Sequence, residues 1–205
     1  MPKLEYLTQT SPLRFTYSMS QSYKVRGVVL KRIVYKDYDR ILTLFTRERG
    51  KITVIAKGAR KATSKRLGHL ELFNQIDAVI YPGFSLDVLG ETSLMSYFSV
   101  DSNSDENQLS RIMAAYHLSE LIDVFVPDEE PHESLFDWLL DSFHHLHQPH
   151  INSLDLTRAF KYRLLQTLGY WPHEERPPAD IDQFLETVLE KPLRTHGWAE
   201  LSGSI

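Results

Sequence analysis

The sequence predicts a two-domain α+β chain, a small five-stranded β-barrel followed by an α-helical bundle. Three observations point there. Residues 23–98 are rich in Val, Ile, Thr, Tyr and Phe, in short runs broken by turn residues. Beyond Ser99 the apolar period changes from 2 to about 3.6 residues. The charge balance shifts at the same place: residues 1–100 carry 16 Lys and Arg against 8 Asp and Glu, and residues 101–205 carry 7 against 19. The expected division is a barrel domain at 21–100 and a helical domain at 101–205. Residues 1–20 read as a polar, flexible extension, with Met19 a candidate start.

The strands follow in order. "YKVRGVVLKRIVY" and "RILTLFT" read as two strands joined through Lys36–Asp39. "KITVIAK" follows a tight turn ending at Gly50 and alternates Ile52, Val54 and Ala56 against Thr53, Ile55 and Lys57. "LFNQIDAVIY" and "LDVLGETSLMSYF" flank Pro82–Gly83, a hairpin signal. Five strands in so short a stretch favour a closed barrel, and the pattern alone does not say which kind.

Four helices follow. Ser104 is an expected cap for the first, with Asp105 and Glu106 in its first turn. Its stripe would run through Leu109, Ile112, Met113, Tyr116, Leu121, Ile122 and Phe125 until Pro127. The second enters at Pro131 and carries Leu135, Trp138, Leu139, Phe143 and Leu146. The third carries Leu156, Phe160, Leu164 and Leu168 and ends at Gly169, a suitable left-handed cap. The fourth starts near Asp180, carries Ile181, Phe184, Leu185, Val188 and Leu189, and stops before Pro192.

Composition and motifs narrow the chemistry. The absence of cysteine excludes disulfides, thiolate nucleophiles and sulfur-ligated zinc, and fits a reducing cytoplasm. No apolar run approaches the ~20 residues that span a bilayer, and the first twenty residues lack a secretory signal core. "PHESLF" has Phe136 where a zincin helix needs its second histidine, and "GFSLD" has Asp87 where a nucleophile elbow needs glycine. "GKI" at 50–52 lacks the spacing of a phosphate loop. The His-rich "DSFHHLHQPH" offers His144, His145, His147 and His150, with Asp141 one turn before His145. A helix C-terminus attracts histidines for its negative end without any metal. No catalytic residue, metal or cofactor is expected.

The most pointed feature is the loop "IAKGARKATSKRLGHLELF". Lys57, Arg60, Lys61, Lys65 and Arg66 lie there among small residues, with no acid between the first and the last. Together with Arg40 and Lys51 they form a candidate grip on a nucleic-acid backbone, with Tyr35, Tyr38 and Tyr81 nearby as candidate stacking surfaces. Small residues between the cations suit backbone tracking and weak sequence preference. A protein-interaction adaptor whose basic loop is merely solvated is the alternative, and a metal-dependent nuclease built on the histidines is a third reading.

The tracts "GVVLKRIVYKDYDRILTLFTRERGKITVIAKGARK" and "LELFNQIDAVIYPG" resemble the N-terminal region of the bacterial recombination mediator RecO family. "RAFKYRLLQTLGY" and "KPLRTHG" are similar to its C-terminal helical region. The resemblance implies that the barrel is an OB-fold and that the protein works in RecF-pathway DNA repair and recombination. It implies binding to single- and double-stranded DNA and annealing of complementary strands. With RecR as partner, it implies loading of recombinase onto DNA coated by single-stranded DNA-binding protein, in the bacterial cytoplasm and at the nucleoid. It further implies that the C-terminal tail of single-stranded DNA-binding protein docks on the helical domain, where Arg158, Lys161 and Arg163 are the candidate contacts. The chain departs from many members at "HEERPPAD", where a cysteine zinc ribbon would stand, so the resemblance does not extend zinc to it.

Overall fold

The computed structural model describes residues 21–99 and 107–195. Five strands come first: β1 (Tyr23–Tyr35), β2 (Asp39–Thr46), β3 (Gly50–Ala56), β4 (Gln75–Tyr81) and β5 (Asp87–Ser96). They close into a barrel in the order β1-β2-β3-β5-β4, with β1 and β4 antiparallel at the closure and β3 and β5 parallel. A closed five-stranded Greek-key barrel of this order is an OB-fold. Strict alternation sets its interior. Ile52, Val54 and Ala56 of β3 point inward, as expected, and meet Leu42 and Leu44 of β2 and Ile80 of β4.

β1 does not keep a single alternation. Val29 pairs with Leu44 and Lys31 with Thr43, so Leu30 is an extra residue with no partner across the ladder. Such a bulge inverts the phase of every residue beyond it. Before the bulge, Val25 and Val29 point into the barrel while Val28 points out; after it, Lys31, Ile33 and Tyr35 are the outward residues.

Four helices follow: α1 (Gln108–Phe125), α2 (Glu133–Leu146), α3 (Ser153–Thr167) and α4 (Ile181–Leu189). Their caps are chemical. Asn152 accepts hydrogen bonds from the Leu154 and Asp155 N–H groups ahead of α3, and Asp180 accepts from Gln183 N–H ahead of α4. Gly169 adopts φ +77° after α3, and Tyr170 N–H bonds back to the Leu165 carbonyl, closing a Schellman turn. The expected cap at Ser104, with Asp105 and Glu106, lies outside the described residues, as do residues 1–20 and the boundary at 100–101.

The two halves share a core. Val28, Leu30 and Phe45 from the outside of the barrel, with Phe73 from the β3–β4 loop, join the same buried cluster as Leu118, Leu139 and Leu164 of the helices. Phe45 meets Phe136 at 5.9 Å between ring centres, and Phe73 meets Phe143 at 5.5 Å. The loop after α1 also lies against β3. Glu129 N–H donates to the Lys51 carbonyl, and a Cβ at Gly50 would fall 2.1 Å from the Glu130 oxygen. Only glycine fits there.

This shared core keeps Leu121, Ile122 and Phe125 buried as expected but corrects the expected face of the first half of α1. Leu109, at 57% exposure, and Tyr116 are exposed, whereas Arg111, Ala114, Ala115 and Leu118 are buried. The alanines let α1 pack closely. Arg111, 1% exposed, donates through its guanidinium to the carbonyls of Leu146 and His147 at the end of α2. A cation on these terminal carbonyls both satisfies them and complements the helix dipole.

Candidate nucleic-acid interface

The tip of the β1–β2 hairpin and the basic β3–β4 loop are tied into one unit. Asp39 accepts the Gly58 N–H at 2.7 Å, and the Tyr38 carbonyl accepts the Arg60 N–H at 2.9 Å. The Arg60 guanidinium returns to the Asp37 carbonyl at 3.1 Å. The Lys61 ammonium stands 5.7 Å from the Tyr38 ring centre, and the Lys36 ammonium 5.2 Å from that of Tyr35. Both tyrosines are exposed. The loop is therefore held by backbone hydrogen bonds while its charged ends face water, the arrangement a polyanion grip requires.

The expected cations divide by position. Lys57, Arg60, Lys61 and Lys65 are exposed along this loop, and Arg60 and Lys61 reach the tip. Arg66 is folded back: it donates to the carbonyls of Leu89 and Gly90, each at 2.9 Å, and of Lys57 at 2.6 Å. It fastens the loop to β5. Arg40 lies on the inward side of the hairpin, pairs with Glu71 at 3.2 Å, and has its pKa lowered by burial and by neighbouring Arg32 and Arg60. Glu71 also holds Arg32, so this carboxylate seats the loop across the barrel mouth.

Lys51 departs furthest from its expected place. It lies at the seam with the helices, donates to the Asp123 carbonyl and pairs with Asp128 at 3.3 Å. The parallel bridge between Lys51 and Asp128 puts it there. Lys36, in contrast, joins the cluster although the spacing of the basic loop gives no hint of it. Its signal is the turn connecting β1 to β2, which the fold brings against residues 58–60.

In the helical half Arg158 and Arg163 are exposed, and Arg163 lies 5.1 Å from the Trp138 ring centre. Lys161 is buried and paired with Asp182 of α4. Arg158 and Lys161 therefore do not form a shared exposed face, because α4 covers the lysine. A groove of about 860 Å³ lies elsewhere, between β1, α1 and residues 191–195. Leu30, Leu72, Val124 and Leu193 supply apolar walls, and Lys31, Arg32, Lys191 and Arg194 add four cations, of which Lys31 pairs with Asp123 and Arg32 with Glu71.

The histidines of α2 do not converge on a metal. The His144 and His147 rings stack with centres 6.1 Å apart, and His147 packs edge-on against Phe98. Burial, with His144 and Arg111 adding to it, lowers the His147 pKa. Among the described residues no group of three or more His, Asp or Glu is placed to hold an ion, and no helix is long and apolar enough to cross a membrane.

Comparison with known proteins agrees with this architecture. Residues 19–98 match the family model for the recombination protein O N terminal, and residues 106–176 that for the recombination protein O C terminal. The DNA repair protein RecO of Pelotomaculum thermopropionicum is 34% identical over 154 residues, 75% of this chain and 58% of the relative. The protein of the same name from Symbiobacterium thermophilum is 32% identical over 150 residues, 73% of this chain and 58% of the relative. That of Clostridium kluyveri is 33% identical over 148 residues, 72% and 56%. The matched segment thus spans less than two thirds of the length of these relatives. A closed OB barrel, a helical half whose buried core is continuous with the barrel's outer face, and family matches across both parts place this chain in the recombination protein O (RecO) family.

Proposed function

We propose that the protein acts in DNA repair as a non-enzymatic recombination mediator of the RecF pathway. In this reading it binds single- and double-stranded DNA and anneals complementary strands. With RecR it promotes recombinase loading on DNA coated by single-stranded DNA-binding protein, in the cytoplasm and at the nucleoid. The observation that carries the reading is the gathering of Lys36, Arg60 and Lys61 with two exposed tyrosines at the β1–β2 tip, with Lys57 and Lys65 exposed in the same β3–β4 loop. OB barrels hold oligonucleotides against the β2–β3 face and the loops that flank it. The deciding experiment is annealing of complementary oligonucleotides already coated with the cognate single-stranded DNA-binding protein. Acceleration that disappears when these five cations are replaced by Ala supports the reading, and a folded wild-type protein with no effect on annealing refutes it.

The groove between β1 and α1 supports a place for the acidic tail of single-stranded DNA-binding protein. That ligand ends in an apolar residue and a carboxylate, and so needs apolar walls beside cations. Lys191 and Arg194 supply the cations there. They replace the α3 cluster as the proposed contacts, because Lys161 is already paired.

A further inference from the structure

The strap that follows α4, residues 191–195, is held to α1 through one carboxylate. Glu120 Oε1 accepts the Arg194 N–H at 2.8 Å, and Oε2 accepts the Thr195 N–H at 2.9 Å and the Thr195 hydroxyl at 2.6 Å. That hydroxyl has one proton and gives it to Glu120, so in its bond with His117 the imidazole Nδ1 is the donor. His117 and Glu120, one turn apart on α1, therefore grip Thr195 together. Leu193 and Thr195 are buried, and Lys191 and Arg194 are exposed.

The two amides pinned by Glu120 are those on either side of the Arg194 Cα. With both peptide planes fixed, the direction in which the Arg194 side chain leaves the backbone is fixed as well. Leu193, sunk in the shared core, anchors the residue before it. Hydrogen bonds to the ionised form hold the Glu120 pKa below its ordinary value, so the clasp is charged at neutral pH. Asp123, one turn further along α1, is taken up by Lys31. Both acids line the groove of about 860 Å³ between β1, α1 and the strap, and each is engaged in an internal bond there.

We propose that Glu120 is a positioning residue of this groove: it holds residues 194 and 195 so that Arg194, with Lys191 on the same strap, is preset for the terminal carboxylate of an acidic, apolar-ended peptide. The inference rests on the tail reading above and adds how that site keeps its shape. Sign separates this role from a purely electrostatic one. A carboxylate beside a site for an acidic peptide repels the ligand, so on charge alone its loss would tighten binding. Loss of a clasp that presets Arg194 does the opposite, because the strap must then be ordered when the peptide binds.

The test is fluorescence anisotropy of a labelled tetra-aspartyl peptide ending in phenylalanine with a free carboxylate, titrated with the full chain. Glu120→Ala should weaken binding about three- to tenfold, the scale of one long side chain ordered on binding. Glu120→Gln, whose amide accepts hydrogen bonds at one end only, keeps part of the clasp and should fall between; it carries the test should Glu120→Ala fail to fold. In a Lys191→Ala, Arg194→Ala background the Glu120 change should no longer weaken binding, a result that general loosening of the helices would not give. Weakening that persists in that background overturns the proposal. Equal or tighter binding by the Glu120 variants, while Lys191→Glu with Arg194→Glu still weakens it, overturns the positioning role and leaves the tail reading standing. Binding indifferent to Lys191→Glu with Arg194→Glu overturns the tail reading itself.

Discussion

In the barrel half 16 basic residues face 8 acids, and Lys57, Arg60, Lys61 and Lys65 reach solvent from one loop. In the helical half 7 face 19, and two of those seven, Arg111 and Lys161, are buried in structural contacts. The same residue types therefore do different work in the two halves. On the barrel, backbone hydrogen bonds fix the loop and leave side-chain charge available to a polyanion. Among the helices, cations cap a terminus or tie one helix to the next. Net charge marks the half suited to a polyanion, but only the unburied, unpaired cations mark where on that half it would be held.

The largest effect should come from the surface that joins the halves. Phe45→Ala removes a ring from the shared core and should cost about 3–5 kcal/mol. All three tryptophans lie in the helical half. Their fluorescence and the backbone circular dichroism should therefore report one coincident unfolding transition. Two separated transitions would mean that the halves fold independently despite the common core.

The next effect falls on DNA affinity. Each phosphate contact to a single strand contributes about 0.7 to the slope of log affinity against log salt. Replacing Lys57, Arg60, Lys61 and Lys65 with Ala should lower that slope by about 2–3, with the melting temperature little changed. Replacing Arg158 and Arg163 should leave it where it was. A slope that responds to both sets equally would erase the difference between the halves.

A smaller effect separates two sites within the helical half. Lys191→Glu with Arg194→Glu should weaken binding of an acidic, apolar-ended tail peptide about tenfold, the scale of a charge-assisted contact. Arg158→Glu with Arg163→Glu should not. Fluorescence anisotropy of a labelled peptide reads both, and the reverse pattern would return the tail to α3.

The smallest effect is on acid stability. Burial pushes the Glu120 carboxyl upward, but hydrogen bonds from the Thr195 hydroxyl and the Arg194 and Thr195 N–H groups outweigh it, with His117 adding to them. The net pKa lies below the ordinary value of 4.5. Stability from this carboxylate is complete above the unfolded pKa and is lost as pH falls through the lower folded one. Glu120→Gln should flatten the decline in stability below about pH 4.5. An unchanged acid limb would show that residues 194–195 are not held by this charge.

Local chemistry was legible in the sequence wherever it decided the outcome. The alternation of β3, the cap at Asp180 and the glycine after α3 depend on neighbours in the chain, and each lies where the pattern put it. The face of α1 was legible in its last turns, where Leu121, Ile122 and Phe125 are buried as expected, and not in its first half. Which of its residues are buried depends on the outside of the barrel being apolar at Val28 and Phe45, a fact about another element. Arg66 and Lys51 looked the same as Lys57 and Lys61 in the sequence. Their carbonyl partners at Leu89, Gly90 and Asp123 lie 23, 24 and 72 residues away. Lys36 was missed for the converse reason, since a turn residue gains its partners only when the hairpin tip meets the loop.

The unpaired Leu30 also bears on how this sequence can change over evolutionary time. Loss of Leu30 would leave the ladder regular: Val29 would still pair with Leu44 and Lys31 with Thr43, so Arg32 and Val34 would keep facing inward and Ile33 and Tyr35 outward. Closing the bulge while keeping the residue would instead pair Leu30 with Thr43 and turn every later side chain to the other face. Homologous hairpins should therefore tolerate a missing residue at this position more readily than an unbulged hairpin of the same length. Aligning relatives across this hairpin without allowing for that residue would pair side chains that face opposite ways.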